Sequence, residues 1–339
     1  MMRLVCIKAD IVSFYVLKRK GVFMLIEILL IIVGFVLLIK GADYLVDGAS
    51  NIAKKFHIPE IIIGLTIVSI GTSMPELFVS LTSALEGYSD MAMGNVIGSN
   101  VCNLLLILGL SSIIKTITFQ ENTKKYEIPM CFIISIIFLV LCNVGTGISR
   151  LDALFLLVLF VGFITYTIFM GIKSQSNEEE KVNEDFVEKN MLKNILFVVG
   201  GIAALKFGGD FVVDNAVSIA NRFNLSEKLI SLTILAIGTS LPELVTSVTA
   251  AFKGNSDIAI GNIIGSNIFN MLLIIGASAL IKPIIYNVSY NLDMIILLIG
   301  TGLLMLFPLF SKTKNEMERK NGFSYLGLYA AYLIILFLI

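Results

Sequence analysis

Two long apolar segments of this chain are interrupted by nearly the same polar hexapeptide. Residues 71–76 read Gly-Thr-Ser-Met-Pro-Glu, and residues 238–243 read Gly-Thr-Ser-Leu-Pro-Glu. Proline removes a backbone donor and clashes with the preceding helical turn, so we expect a helix to break at each motif. A glutamate at membrane depth is costly unless it faces a partner or a wet cavity. The motifs therefore predict a partner shared by Glu76 and Glu243, and a metal cation is the simplest candidate.

The composition indicates a membrane protein. Of the 339 residues 57% are hydrophobic and 15% charged, whereas soluble proteins carry about 25% charged residues. Because the formal net charge is zero, we expect no nucleic-acid partner. The only histidine, His57, is expected in a surface loop between helices. Neither a disulfide framework nor a zinc cluster is predicted from the scattered cysteines Cys6, Cys102, Cys131 and Cys142.

The apolar segments, each of about 20 residues, predict an all-α polytopic membrane protein with ten transmembrane helices. In the first half the expected helices are Leu25–Ala53, Glu60–Leu85, Met91–Ile114, Tyr126–Asn143 and Leu151–Ile172. In the second half they are Leu192–Asn221, Lys228–Phe252, Ile258–Ile281, Leu292–Phe310 and Phe323–Leu338.

The two halves are related by a constant offset of 167 residues, which links Glu76 to Glu243. The same offset relates Asp43 to Asp210, Asp47 to Asp214, Gly98 to Gly265, Asn103 to Asn270, Lys115 to Lys282 and Met24 to Met191. One offset over so long a stretch predicts an internal duplication. Each half holds five expected helices, and an odd number reverses the second copy, so we expect inverted repeats.

The expected domains are a first five-helix repeat at 24–172, a polar linker at 173–190 and a second repeat at 191–339. Residues 1–23 are basic around a short apolar run, and we expect them to be either untranslated or a disordered tail. Fourteen Lys and Arg residues fall in the loops on the linker side and four in the opposite loops. The positive-inside rule therefore predicts a cytoplasmic linker and both termini outside a cell membrane.

The first motif offers oxygen ligands about midway along its helix. Carboxylate, carbonyl and hydroxyl oxygens are hard ligands that suit Ca²⁺ and Na⁺. We expect contributions from the glutamates, from carbonyls of an unwound turn and from hydroxyls, at Glu76, Glu243, Ser69, Thr72, Ala236, Thr239, Ser73 and Ser240. The alternative is a structural proline kink whose glutamate bonds to a neighbour, which two inverted copies disfavour.

A second motif, Gly-Asn-x-x-Gly-Ser-Asn, begins at Gly94 and again at Gly261. Residues four apart share a helix face, so its polar groups are predicted to line an ion path at Ser99, Asn103, Ser266 and Asn270. The rival interpretation is helix packing with interhelical hydrogen bonds, and packing best explains the glycines. Near the membrane surface, capping or interfacial pairing is favoured over ion binding for Asp43, Asp47, Asp210 and Asp214. Lys40 and Lys206 are expected to snorkel or to pair with these acids.

With these two motifs the sequence resembles the cation/calcium exchanger superfamily, specifically its prokaryotic sodium/calcium exchanger branch, over residues 24–339. The resemblance implies a central group of four helices and antiport of Ca²⁺ against Na⁺ without nucleotide hydrolysis. It implies that Glu76 and Glu243 coordinate Ca²⁺, that Thr72 and Thr239 offer carbonyls, and that Asn103 is a neutral central position. It further implies flanking sodium sites at Ser69, Ala236, Ser73, Ser240, Ser99 and Ser266.

One departure is Asn270, where some archaeal members of the family carry an aspartate. With asparagine at both Asn103 and Asn270, the central site has two formal negative charges instead of three, which leaves the sodium stoichiometry and the coupling ion open. We therefore expect a transporter of Ca²⁺ and Na⁺ in the lipid bilayer, without a cofactor. The alternatives are exchange coupled to H⁺ or K⁺ and a passive channel. An enzyme is disfavoured because no His-Glu-x-x-His pattern or Ser/His/Asp set occurs, and the linker has no EF-hand spacing.

Overall fold

A computed structural model describes residues 2–175, 190–223, 236–310 and 315–338, which are mostly helical. The helices are α1 (Met2–Lys55), α2 (Glu60–Thr72), α3 (Met74–Glu86), α4 (Ser89–Ile114), α5 (Thr123–Val144), α6 (Arg150–Gln175), α7 (Met191–Arg222), α8 (Ala236–Thr239), α9 (Leu241–Lys253), α10 (Ser256–Ile281), α11 (Asn291–Phe310) and α12 (Arg319–Leu338). Four two-residue strands are β1 (Ile117–Thr118), β2 (Gly147–Ile148), β3 (Ile284–Ile285) and β4 (Glu316–Met317).

The helical segments agree with the expected ones within a few residues, apart from two places. Helix α1 extends back to Met2, whereas one of the two expectations for residues 1–23 is a disordered tail. The start of the first repeat at residue 24 stays a prediction. The expected seventh helix, Lys228–Phe252, lies partly outside the described residues, as does most of the predicted linker. In the described part of the chain, seven helices are long and apolar enough to cross a membrane, or eight if α2 and α3 form one bent span. The chain is thus a multi-pass membrane protein.

Both hexapeptides break their helices, as predicted. Helices α2 and α3 meet at an angle of 50°. The break falls at Ser73, with φ −83° and ψ 9°, and Pro75 occupies the first turn of α3. Ser240 separates α8 from α9 with nearly the same angles, φ −89° and ψ 8°. Each break therefore places a glutamate in the first turn of a new helix, where the helix dipole favours a negative charge.

Helices α1 and α7 pack antiparallel through glycines spaced seven residues apart. A Cβ on Gly34 would lie 2.8 Å from the Gly208 carbonyl oxygen, and one on Gly41 would lie 2.9 Å from that of Gly201. The reverse contacts are equally close, at 2.8 Å for Gly208 and 2.7 Å for Gly201. The backbones therefore touch, which long apolar side chains would prevent.

The broken helices and α4 and α10 form the centre, and α5, α6, α11 and α12 pack against α4 and α10. Gly265 lies so close to α2 that a Cβ would be 2.8 Å from the Leu65 Cα. For the matching Gly98, the expected contact segment lies outside the described residues. The strands pair antiparallel as β1 with β4 and β2 with β3, so each pair joins the two halves.

Candidate cation site at the helix breaks

Glu76 and Glu243 are fully buried, and each is bound by hydroxyls around the break of the opposite half. Ser73 Oγ donates to Glu243 Oε1 at 2.8 Å. Ser240 Oγ lies 3.5 Å from Glu76 Oε1, and Ser99 Oγ donates to the same oxygen at 3.4 Å. The structure therefore brings together the two acids that the sequence pairs by its offset.

Four of the buried side-chain oxygens that have no hydrogen-bond partner within the described ranges belong to residues of the predicted site. They are one carboxylate oxygen of each glutamate and the two amide oxygens Asn103 Oδ1 and Asn270 Oδ1. Unpaired buried acceptors cost free energy, so such a set needs a donor or a cation. Four oxygens without an N–H donor suit a hard cation such as Ca²⁺ or Na⁺. A cation bound here would replace the oxygens of its hydration shell with these protein oxygens.

Widened helical turns adjoin both asparagines. Helix α4 contains a π-helical stretch at Cys102–Ile107, and α10 contains one at Asn270–Ile274. Such turns occur often at functional sites, because they loosen the regular backbone ladder. Both halves thus carry the same irregularity beside the same polar residue.

The remaining predicted residues differ in their hydrogen-bond partners. Ser266 Oγ is 2.9 Å from Ser73 Oγ, so both motifs meet there. Ser69 directs its hydroxyl to the Leu65 carbonyl at 2.9 Å, and its own carbonyl accepts from the Ser73 amide at 3.0 Å. Thr72, fully buried, donates to Asn262 Oδ1 at 3.0 Å. Ala236 and Thr239 form the ends of the short helix α8, and carbonyl coordination by Ser69, Thr72, Ala236 and Thr239 stays a prediction.

Sequence reasoning missed Asn95 and Asn262, which tie α3 to α4 and α9 to α10. Asn95 Nδ2 donates to Ser80 Oγ at 2.9 Å and to the Glu76 carbonyl at 3.2 Å. Asn262 Nδ2 makes the matching bonds, to Ser247 Oγ at 2.9 Å and to the Glu243 carbonyl at 3.4 Å. Both asparagines stand 19 residues after their glutamate, and that shared spacing was the available signal.

The acids near the membrane surface pair with lysines. Lys253 Nζ lies 2.7 Å from Asp47 and 3.3 Å from Asp43. Lys40 lies 3.8 Å from Asp43, and Lys206 lies 2.7 Å from Asp210. The pairing interpretation is confirmed for these three acids and stays a prediction for Asp214. Across the described residues no group of three or more His, Cys, Asp or Glu could hold a metal ion.

Two buried carboxylates and two unpaired amide oxygens inside a multi-pass helical protein are typical of membrane proteins that move cations. The family model described as "Sodium/calcium exchanger protein" matches residues 26–169 and 193–338. The two matched segments begin 167 residues apart, which is the offset read from the sequence. The chain belongs to the sodium/calcium exchanger family, whose members are cation antiporters.

Relatives and solved structures agree with this membership. The putative antiporter CaxA of Alkalimonas amylolytica is 37% identical, over 93% of this chain and 99% of its own length. The sodium/calcium exchanger MaX1 of Methanosarcina acetivorans is 30% identical, over 93% of this chain and 99% of its own. A structure of the sodium-calcium exchanger NCX_Mj superposes with a TM-score of 0.81 at 30% identity, covering 92% of this chain and 99% of that one.

Proposed function

We propose that the protein is a secondary active antiporter that exchanges Ca²⁺ for Na⁺ by alternating access. The observation that carries this proposal is the buried pair Glu76 and Glu243, which together with Asn103 and Asn270 offers four buried acceptor oxygens that lack donors among the described residues. One Ca²⁺ or several Na⁺ would bind there, with Asn103 and Asn270 as amide ligands. The hydroxyls at 73, 240, 99 and 266 and the carbonyls at 69, 72, 236 and 239 would complete the sites.

Charge explains why exchange would be obligatory. An empty site leaves two carboxylates facing each other in a poor solvent, which is costly. Either ion neutralises them and lets the α1/α7 pair move across the centre. The unloaded carrier would rarely cross, so ions move in both directions or not at all. The sodium gradient supplies the energy, and neither a nucleotide nor a cofactor is required.

The proposed topology has ten transmembrane helices in two inverted five-helix repeats. Contacts between the halves support it, because they divide the loops into two separate sets. Strand β1 pairs with β4, and Gln120 in the loop after β1 bonds to Asp257. Strand β2 pairs with β3, and Tyr290 nearby donates to the Asp90 carbonyl. The first set is cytoplasmic with the linker, and the second set faces outside with both termini.

Uptake of radioactive calcium into proteoliposomes preloaded with Na⁺ tests the proposal. Uptake should require the outward sodium gradient and should disappear when Na⁺ is equal on both sides or replaced by choline. Flux that continues without any counter-ion would indicate a passive channel. Repeating the assay at clamped membrane potentials with Asn270→Asp would show how this position sets the Na⁺ to Ca²⁺ ratio.

Potassium or proton coupling is the second candidate. It is favoured by Asn270, which lowers the formal charge of the site, and by a partial match to a potassium-dependent relative. The sodium/potassium/calcium exchanger 2 of Gallus gallus is 35% identical over 40% of this chain, but the match covers only 22% of its own length. Uptake that needs K⁺ together with Na⁺, or that collapses with a protonophore in Na⁺-free medium, would replace the sodium-only mechanism.

A further inference from the structure

Two asparagines outside the predicted ion path join the halves at the centre of the molecule. Asn100 on α4 and Asn267 on α10 are fully buried and related by the offset of 167 residues. Asn100 Nδ2 donates to the Asn267 carbonyl at 3.3 Å, and Asn267 Nδ2 donates to the Asn100 carbonyl at 3.2 Å. The reciprocal pair cross-links the two helices that carry Asn103 and Asn270.

These bonds determine which way the neighbouring amides point. Because Nδ2 of Asn100 and Asn267 is directed to a backbone carbonyl, the side-chain oxygen of each is left free to accept from a second amide. Asn103 Nδ2 donates to Asn267 Oδ1 at 3.2 Å, and Asn270 Nδ2 donates to Asn100 Oδ1 at 2.9 Å. A flipped Asn103 or Asn270 would set two acceptor oxygens against each other. The oxygens of Asn103 and Asn270 are therefore held away from the network, and they are the two buried side-chain amide oxygens left without a donor in the described part of the chain.

We propose that Asn100 and Asn267 are positioning residues that present the oxygens of Asn103 and Asn270, and not their NH₂ groups, to the transported cation. This inference rests on the proposed function. It follows from a chemical requirement: the positioning group must donate to a carbonyl on one side and accept from an amide on the other. Asparagine does both, an ionised aspartate cannot donate, and leucine can do neither.

A merely structural cross-link would also weaken the protein when it is removed, so melting temperature alone cannot test the idea. A double-mutant cycle can, because it measures whether one residue acts through another. The variants are Asn267→Leu, Asn103→Ala and their combination. The matched control is Ser135→Ala on α5, a fully buried group that donates only to the Cys131 carbonyl one turn earlier, at 2.8 Å.

We expect Asn267→Leu to raise the KM for Ca²⁺ by about 10-fold, the factor that corresponds to one well-placed hydrogen bond. In the Asn103→Ala background the same change should alter KM by less than about two-fold, because the amide to be positioned is gone. Ser135→Ala should leave KM unchanged. Equal effects of Asn267→Leu in both backgrounds, or an unchanged KM with only a lower melting temperature, would overturn the proposal.

The symmetric set, Asn100→Leu with Asn270→Ala, repeats the test if the first set does not fold. Calorimetric Ca²⁺ binding by the purified protein separates this inference from the proposed function. Wild-type protein that binds Ca²⁺ without sodium-driven uptake would overturn the antiport mechanism, while the cycle in binding constants would still decide the role of Asn267. Wild-type protein that binds no Ca²⁺ in calorimetry and shows no uptake would overturn both.

Discussion

The centre of the molecule and the contacts of the α1/α7 pair differ in how well the two halves match. At the centre, each hydrogen bond donated by an asparagine side chain in one half has an equivalent in the other, as with Asn95 and Asn262. Along the α1/α7 pair, α1 packs closely on α9, whereas the equivalent packing of α7 on α3 is much smaller. Lys253 on α9 bonds to Asp43 and Asp47 of α1, but its counterpart at the end of α3 is Glu86.

The two halves thus share the hydrogen bonds of the central polar residues. They differ in the contacts that α1 makes with α9 and that α7 makes with α3. In the proposed function, a symmetric ion site would offer the same ligands from either side of the membrane. The asymmetric contacts close α1 onto α9 and leave α7 apart from α3. The described conformation is thus closed on the face of Lys253, which is the cytoplasmic face in the proposed topology.

The largest effect is expected from neutralising either central carboxylate. Glu76→Gln and Glu243→Gln should each reduce the initial rate of sodium-driven calcium uptake by roughly 100-fold, because losing one charge of a buried set costs about 3 kcal/mol or more. Equal losses would support equivalent halves at the centre. Near-normal uptake in either variant would remove that glutamate from the site. Glu86→Gln, an exposed acid at the end of α3, is the control.

The glycine contact of α1 with α7 should be the next most sensitive feature. A Cβ at Gly201 would lie 2.7 Å from the Gly41 carbonyl and 2.8 Å from the Leu45 amide. Gly201→Ala should destabilise the protein by about 1–3 kcal/mol, as overpacking does. The neighbour Gly200 faces open space, with no described atom within 4 Å of an added Cβ. Gly200→Ala should be neutral or slightly stabilising in the same thermal melts, and a reversed order would refute the packing.

A smaller asymmetry within the centre distinguishes the serines at the helix breaks. Ser73 bonds to Glu243 at 2.8 Å, whereas the equivalent contact of Ser240 with Glu76 is 3.5 Å. Because a hydrogen bond to a charged group contributes about 1.5–3 kcal/mol, Ser73→Ala should raise the KM for Ca²⁺ about 10-fold or more. Ser240→Ala should raise it less. Identical KM values for the two variants would mean that the centre is fully symmetric during transport.

The smallest effect is expected at Lys253, where the halves differ most. Lys253→Ala should lower stability by about 0.2–1 kcal/mol in low salt, and the difference should shrink at high ionic strength, because the pair is partly exposed. Lys206→Ala is the control, since Lys206 pairs with Asp210 of its own helix. Adding Glu86→Lys to Lys253→Ala would place the lysine at the equivalent end of α3 instead. Cysteine labelling from each side should then report a shift towards the opposite face, and unchanged labelling would argue against a closing role for these contacts.

The local sequence predicted the helix breaks because proline chemistry acts within one turn. Ser73 and Ser240 lie at the breaks with nearly equal dihedral angles, as two copies of one hexapeptide should. The offset of 167 residues predicted that Glu76 and Glu243 belong together. The sequence also predicted that Asp43 pairs with a lysine. It did not predict the main partner, Lys253, which lies 210 residues away in the chain.

Residue type, periodicity and repetition were sufficient to define a multi-pass membrane protein with two buried carboxylates, because they act locally or through the offset. The orientations of the amides at 95, 100, 262 and 267 were decided only by tertiary structure. An asparagine side chain can donate a hydrogen bond, accept one or do both. Its orientation depends on the partner atoms, and these lie on another helix. The same reason applies to the closed face. The contact of α1 with α9 and that of α7 with α3 are equivalent in the two halves, and packing across the whole molecule decides which of them forms.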